Sequence, residues 1–384
     1  MRVVLLRSLP VNPDPRVEKE WVALVEAGAS VQVVCWDRNG THPSYENRTY
    51  GPLYRLAIKA EFGRGFSNFP ALLRWQAGLV VWLVRKRRTY DVIHACDFDT
   101  LLPALLMKAL WRKLVVYDIF DFYADILSDG PSWVKKAIRR LDLWAIGKAD
   151  MVILADEARR AQIAGSHPRL VVVVHNSPPD LRRETEHRQV EPCPTGFRIA
   201  YIGLLKRERG LFEAIDVVAK HPEWNLDLAG FGAHEEEMRT HAALVPNVHF
   251  YGRVDYTQAL ALSDRADVLF ATYDPQIPNH RYSSANKLFE AMMLGKPIIV
   301  AHGTGMDRIV EENGSGLVVT YGDRSDLERH LTLLSQDCRL RAALGRRARA
   351  AYDTKYSWER EKKRFVDAYS DLFFSKRGSV LGQG

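Results

Sequence analysis

Short runs rich in Val and Ile recur along the chain without strict apolar/polar alternation: VVLL at 3–6, VQVVCW at 31–36, DVIHA at 91–95, LVVYD at 114–118, MVILA at 151–155 and LVVVVHN at 170–176. Such runs read as strands buried on both faces, and the longer amphipathic stretches between them as crossover helices. The first half therefore predicts a doubly wound α/β domain over 1–180. Its first helix is expected over PRVEKEWVALVEAG, with Pro15 suited to the opening turn and Gly28 to the stop. After Asp180 the pattern lapses into LRRETEHRQVEPCPTG, a polar stretch with two prolines that reads as a linker over 181–196. A second series follows: FRIAYIG (197–203), WNLDLAG (224–230), VHFYG (248–252), DVLFATY (267–273), PIIVA (297–301) and GLVVTY (316–321). It predicts a second α/β domain over 197–356. The tail reads as helical, and its last segment, 357–384, is expected to pack back on the first domain. The aromatic residues Tyr352, Tyr356, Phe365, Tyr369, Phe373 and Phe374 read as packed core.

Composition narrows the class. A chain of 384 residues with 47% hydrophobic and 26% charged residues is globular, long enough for two cores, and unlike a disordered or low-complexity chain. The longest apolar stretch, ALLRWQAGLVVWLV at 71–84, contains Arg74 and Gln76 and falls short of the roughly 20 residues a bilayer span requires. The N-terminal apolar run is too short for a signal peptide, and the four cysteines, Cys35, Cys96, Cys193 and Cys338, show no CxxC spacing. Free thiols, a reducing cytoplasm and no zinc site are the expectation.

A net charge of +7 implies an anionic partner without choosing it. Two segments, FPALLRWQAGLVVWLVRKRR and PSWVKKAIRRLDLW, join apolar and aromatic residues to Arg85–Arg88 and to Lys135, Lys136, Arg139 and Arg140. Each reads either as a basic amphipathic helix at an anionic membrane surface or as a core-packed helix with a solvated basic end. No aromatic and basic motif of a known nucleic-acid binder occurs, so nucleic acid is not an expected partner.

In open α/β sheets ligands bind beyond the carboxyl ends of the strands, and two stretches there carry chemistry. In IAYIGLLKRERGLFEAID a strand ends at Gly203, a basic loop with Lys206, Arg207 and Arg209 follows, and Gly210 opens a helix. Helix N–H groups and fixed cations suit a phosphate, although the stretch also reads as a solvated charge cluster on a turn. In NHRYSSANKLFEAMMLGKPIIVAHGTG, Ser283 and Ser284 can cap a helix starting near Ala285, and Asn286 and Glu290 stand four apart on one face. Glu290 reads as a ligand carboxylate, or as a helix carboxylate paired with Lys287 or Lys296.

Those two stretches, with LVEAGASVQVV before them and GTGMDRIVEENGSGLVV after, resemble the retaining family 4 glycosyltransferases of the GT-B fold over nearly the whole chain. The resemblance implies an α/β fold of two doubly wound Rossmann-like domains facing a central cleft, the first binding the acceptor and the second a nucleotide sugar. It implies sugar transfer from a nucleotide-diphosphate sugar to a hydroxyl of a carbohydrate or lipid-linked acceptor, with no further cofactor and no metal required. By position, Arg209 resembles the residue that binds the donor diphosphate, with Lys206 or Arg207 as a second cation beside Gly203. Ser284, Ala285 and Asn286 would offer backbone N–H groups to the phosphates, with Tyr282 and Lys287 in the same donor set. Gly252, in HFYGRV, resembles the loop that packs on the base, and Glu290 resembles the second glutamate of the E-x7-E pattern, which binds the ribose.

Two positions depart from the pattern. Tyr282 stands where the family often has its first glutamate, and Phe120, in VVYDIFDFYAD, where many relatives carry a histidine. Asp121 and His94 remain as candidate catalytic groups beside Arg209; Asp121 equally reads as a helix cap and His94 as a strand-end histidine bonded to backbone. Rival functions are a nucleotide-sugar epimerase or a phosphorylase on the same fold, or a sugar-nucleotide-binding protein without catalysis.

Overall fold

A computed structural model describes residues 1–61, 68–126, 131–182 and 196–381. The chain divides into two units, Met1–His175 together with Glu361–Gly384, and Asn176–Arg360. Residues 183–195, most of the stretch read as a linker, lie outside the described residues.

The first unit is built on strands β1 (Arg2–Arg7), β2 (Ser30–Asp37), β3 (Tyr45–Arg48), β4 (Gly51–Ala57), β5 (Val92–Cys96), β6 (Leu114–Ile119), β7 (Met151–Leu154) and β8 (Val171–Val173). Their order in the sheet is β3-β4-β2-β1-β5-β6-β7-β8, parallel except for the β3–β4 pair. Strand order reverses between β1 and β5, a topological switch point. The six strands expected from apolar runs are all present; β3 and β4 are not among them. Their residues, YENR and GPLYRLA, form an edge hairpin that is mostly half-exposed, so no continuous apolar run marks it.

Helix Pro15–Glu26 starts where the Asp14 side chain accepts from the Val17 N–H, and it gives way to Gly28 at φ +82°. Its sheet-facing side buries charge, Arg16 and Glu20, as well as Trp21 and Leu24. On the opposite face of the sheet, the helices Phe69–Arg85, Phe98–Trp111 and Ser132–Ile146 bury Trp75, Leu79, Leu101, Met107 and Ile146 against Ile93, Ala95, Val115 and Tyr117. Right-handed crossovers require these connections to share that side.

The second unit is an all-parallel sheet of β9 (Phe197–Leu204), β10 (Trp224–Phe231), β11 (Val248–Gly252), β12 (Val268–Ala271), β13 (Ile298–Ala301) and β14 (Gly316–Val319), in the order β11-β10-β9-β12-β13-β14. These are the six strands expected from the second series, and β9 and β12 flank the switch point. The tail forms helices Arg324–Gln336, Cys338–Ala351 and Trp358–Leu381. Tyr352, Tyr356, Phe365 and Tyr369 are buried, whereas Phe374 is exposed.

The thiols differ from expectation. Cys35 and Cys96 are buried and free, but Cys338 is disulfide-bonded. Half-exposed at the start of its helix, Cys338 can be reached by another sulfur, unlike the two sealed in the sheet. Cys193 lies outside the described residues. Among the described residues, no helix is long and apolar enough to cross a membrane.

Candidate functional site

In the second unit, glycines end three adjacent strands. Gly203 of β9 pairs with Gly230 of β10, and Gly252 ends β11 beside Ala229. The close approach at the first pair demands glycine: a Cβ on Gly230 would lie 1.7 Å from the Gly203 carbonyl oxygen, and one on Gly232 would lie 2.3 Å from that of Leu205. Gly230 and Gly232 are not among the expected site residues, although G-x-G across the end of a strand is a readable signal.

Past Gly203 the chain makes a turn at Arg207–Arg209, and Gly210, at φ +66°, releases it into helix Leu211–Val218. The turn is held from β12: the Thr272 hydroxyl donates to the Arg209 carbonyl at 2.8 Å, and the Asp274 N–H donates to the Glu208 carbonyl at 3.0 Å. Three cations of the loop then part company. Lys206 pairs with Glu208 at 3.2 Å, and Arg207 turns to Glu237 and to the Phe212 ring. Arg209 is buried, its guanidinium 3.5 Å from the Tyr273 ring centroid, and its Nε and Nη1 have no hydrogen-bond partner. A buried guanidinium with unmet donors is costly by a few kcal/mol unless an anion completes it.

Lys287 approaches from the other side. Its Nζ lies 3.6 Å from the Tyr201 ring centroid and 5.7 Å from that of Tyr273, over Gly203, where an added Cβ would come within 2.8 Å of Nζ. Burial and then the Arg209 charge push the ammonium well below its ordinary pKa range, with Glu290 partly opposing. His280, buried against Tyr273, donates from Nδ1 to the Asp274 carbonyl at 3.0 Å. Burial and Arg209 lower it to about 4, so it is a neutral imidazole at pH 7. His280 is a further residue that patterning passed over, since a lone histidine in a loop carries no signal.

Helix Asn286–Leu294 begins where expected, but not by the expected cap. Ala285 occupies the N-cap position and no side chain bonds the first turn, while Ser283 and Ser284 are buried ahead of it. This corrects the serine-cap reading: the extended backbone at Ser283 and Ala285 makes alanine the capping residue, and the Ser284 hydroxyl is left buried without a partner. The first-turn N–H groups of such a helix have no intrahelical acceptor. Tyr282 is half-buried and Asn286 exposed on either side of the pair Ser284 and Ala285. Glu290, half-buried one turn on, is hydrogen-bonded to the Tyr256 hydroxyl, which burial and this carboxylate raise far above a normal phenol. The Lys287 ammonium goes to Tyr201 instead. The structure thus gathers Gly203, Arg209, Lys287 and the helix start at Ser284, and turns Lys206 and Arg207 to other partners.

In the first unit the strand ends hold a different arrangement. Arg7, at the end of β1, pairs with Asp14 at 2.8 Å and with Asp97 at 2.5 Å. Asp97 follows β5 with φ +65°, a conformation uncommon for a residue with a side chain. Its Oδ1 accepts the N–H groups of Phe120 (3.0 Å) and Asp121 (3.3 Å). Burial pushes its carboxyl up to about 7 against the pull of Arg7, with Asp99 and Asp121 adding repulsion. Asp97 is absent from the expected catalytic set, though it lies two residues beyond the DVIHA run. Two guanidinium groups lie over the Phe120 ring, Arg7 at 4.2 Å and Arg16 at 4.6 Å from its centroid. Asp121 is half-exposed and pairs with Arg159 at 3.2 Å.

His94 is not brought to this place. It is fully buried on the helix Pro15–Glu26 side of the sheet, with Nδ1 2.5 Å from the Tyr369 hydroxyl and Nε2 3.5 Å from Asp118 and 3.6 Å from Glu20. The strand-end reading with a backbone partner is also replaced, since its partner is a side chain of the C-terminal helix. Glu20, His94 and Asp118 present one ligating atom each within 4.8 Å. Arg16 already supplies a countercharge there, 2.7 Å from Asp118 and 3.1 Å from Glu20.

Two mostly parallel sheets in separate units, one with an anion-seeking strand end, define a two-domain α/β protein of the nucleotide-handling type. Comparison with known proteins makes this specific. Residues 13–177 match the Glycosyl transferase 4-like domain and residues 182–351 match Glycosyl transferases group 1. The chain belongs to the family 4-type glycosyltransferases with the GT-B fold, and it is a glycosyltransferase. It is 25% identical over 359 residues to a glycogen synthase of Mycobacterium tuberculosis, covering 86% of this chain and 83% of that one. A D-inositol 3-phosphate glycosyltransferase of Corynebacterium jeikeium is 23% identical, covering 74% and 73%. Among solved structures, sucrose-phosphate synthase from Thermosynechococcus elongatus aligns with a TM-score of 0.78 at 17% identity, covering 98% of this chain and all of that one. HepE of Anabaena, solved with UDP and glucose, aligns with a TM-score of 0.73 at 17% identity, covering 97% and all.

Proposed function

We propose that the chain transfers a sugar, with retention at the anomeric carbon, from a nucleotide-diphosphate sugar to a hydroxyl of a carbohydrate or lipid-linked acceptor. One observation carries the reading: the buried Arg209 guanidinium lacks partners at Nε and Nη1 while stacked on Tyr273 beside Lys287. An incoming diphosphate would satisfy those donors. It would also return Lys287 toward its ordinary protonation by adding negative charge. The Ser284 hydroxyl and the first turn of helix Asn286–Leu294 would complete the phosphate set, and Glu290, oriented by Tyr256, would accept from the ribose. The neighbour HepE, solved with UDP and glucose, supports this choice of donor class.

As the glycosidic bond breaks, charge grows on the β-phosphate, so Arg209, Lys287 and the helix start stabilise the transition state more than the ground state. These fixed cations supply the charge a divalent ion would otherwise bring, and we place no metal requirement on the reaction; unchanged turnover in a chelator checks this. Tyr282 in place of a carboxylate removes an obvious nucleophile for a covalent sugar, which favours same-face attack with the departing phosphate taking the acceptor proton. On the acceptor side Asp97, near neutral and tied to Arg7, is the group best poised to handle a hydroxyl. We place the reaction in the cytoplasm, in keeping with the buried free thiols Cys35 and Cys96; counting thiols in protein taken directly from cells measures whether the Cys338 bridge forms there.

The test is calorimetry with UDP, GDP and ADP and their sugars. One nucleotide class should bind, and Arg209→Ala should weaken it by about 1.5–3 kcal/mol, the worth of a charge-assisted contact, with the fold intact. Unchanged affinity removes Arg209 from the site. Following the anomeric proton of the product by NMR decides retention.

A further inference from the structure

Three helices of the first unit have outer faces that neither the sheet nor either candidate site uses. Phe69–Arg85, Phe98–Trp111 and Ser132–Ile146 pack in sequence against one another. They are stitched at their ends by Arg87 over the Trp111 ring and by Lys108 donating to the Lys148 carbonyl at 2.7 Å. The last helix shows the pattern most clearly. Trp133, Ala137, Leu141, Trp144 and Lys148 recur at helical spacing along its solvent side, with Trp133 70% and Trp144 54% exposed. Leu73 and Val81 on the first helix and Leu106 and Leu110 on the second are exposed as well.

Charge is as one-sided as apolarity. Arg74, Arg85, Lys136 and Arg140 are exposed among these apolar side chains, and the acidic residues of the three helices, Asp99 and Asp142, are buried. The outward faces therefore combine indoles, aliphatic side chains and cations with no carboxylate. A solvated helix face normally interleaves both signs of charge. A second copy of this chain would set cation against cation, and a nucleic acid would leave the aliphatic side chains unmatched. A surface that is anionic outside and hydrocarbon just beneath matches both properties.

We infer that this three-helix face is a docking surface for an anionic phospholipid bilayer, with Trp133 and Trp144 at headgroup depth and the basic side chains against lipid phosphates. It deepens the lipid-linked acceptor reading, on which it rests only for its purpose. Indoles prefer the membrane interface, and each cation near an anionic leaflet contributes about fivefold in partitioning.

The test is co-sedimentation of the full chain with phosphatidylcholine vesicles with and without about 30% phosphatidylglycerol, an anionic fraction that creates the surface potential. The expected result is binding to the anionic vesicles alone, with a blue shift of tryptophan emission, weakened by salt. Lys136→Gln with Arg140→Gln should lower partitioning by about 25-fold, and Trp133→Ser with Trp144→Ser should remove the blue shift. All four positions are solvent-facing, so circular dichroism and nucleotide binding should not change. Equal binding to neutral vesicles, no binding, or binding indifferent to these variants overturns the proposal. So does a dimer in sedimentation velocity that the tryptophan variants abolish, which assigns the face to a second copy. Loss of nucleotide affinity in the unmodified protein would count against the transferase reading alone, because sedimentation needs no donor.

Discussion

Arg209 and Glu290 differ in how fully the free protein provides for them. Arg209 waits with unmet donors, whereas Glu290 is already bonded to Tyr256. If Glu290 accepts from a ribose diol, Glu290→Gln weakens ribonucleotides more than 2′- or 3′-deoxynucleotides, for which part of the contact is missing. A cycle over protein and ligand reads that coupling directly. Equal penalties for both ligand classes would leave Glu290 as a support for Tyr256 and nothing more. Ser284→Ala separates binding from folding in another way. Its hydroxyl is buried without a partner, so the free protein should be unchanged or slightly more stable, by about 0–1 kcal/mol. Nucleotide-diphosphate affinity should fall, and a thermal shift measured with and without nucleotide reads both effects. Neither residue's situation was legible in the amino-acid sequence. Residue types and spacing mark the helix start, but which serine is bonded, and that Lys287 leans on Tyr201 rather than on Glu290, depends on side-chain direction.

The C-terminal helix Trp358–Leu381 is fastened to the first unit by an ionisable contact. His175 Nδ1 lies 3.0 Å from Glu361 and Nε2 lies 3.6 Å from Asp156. Burial opposes the imidazolium, but the two carboxylates outweigh it and raise the imidazole to about 9. An unfolded histidine titrates near 6.5, so the folded state holds its proton more tightly. The stabilisation is complete below about pH 6.5, is worth about 2–3 kcal/mol at pH 7, and is lost as pH rises through about 9. Urea midpoints should therefore fall between pH 7 and pH 10 in the unmodified protein, and the fall should be smaller in His175→Gln. An equal fall in both would show that other groups govern alkaline stability. Elements themselves were largely readable. Buried parallel strands announce themselves as apolar runs, and glycines and prolines mark their ends. The hairpin of β3 and β4 was not readable, because a half-exposed edge lacks both signals.

Across the whole molecule, sequence order and spatial company part most sharply in the C-terminal tail. Tyr369 and Phe365 lie against His94, on a strand far away in sequence. The tail's helical pattern and aromatic stripe were legible; its particular partners were not, since periodicity shows that a face is buried and not against what. His94 misled for the same reason, being a polar residue near a strand end that alternation turns to the sealed face of the sheet. Asp97, three residues on, escaped notice because its φ of +65° and its contact with Arg7 are products of the assembled sheet. Replacing it with Asn should lower turnover while leaving donor affinity intact, and should remove any limb of the pH–rate profile near 7. A profile unchanged in shape would confine Asp97 to holding the Phe120–Asp121 backbone.

Phe120, with the guanidinium groups of Arg7 and Arg16 over its ring, stands where the sequence resemblance implies a histidine. An aromatic hydrocarbon welcomes two cations on its faces, because its π-electrons are drawn to both. An imidazole placed there would meet the same two charges together with the carboxylates that pair them, Asp14 and Asp97 on Arg7, and Glu20 and Asp118 on Arg16. NMR titration of Phe120→His reads which set prevails: a pKa below the usual value of about 6.5 shows that the guanidinium groups dominate, and one above it that the carboxylates do. What kind of reagent this position can hold is thus set by the ion pairs around it as much as by the ring itself.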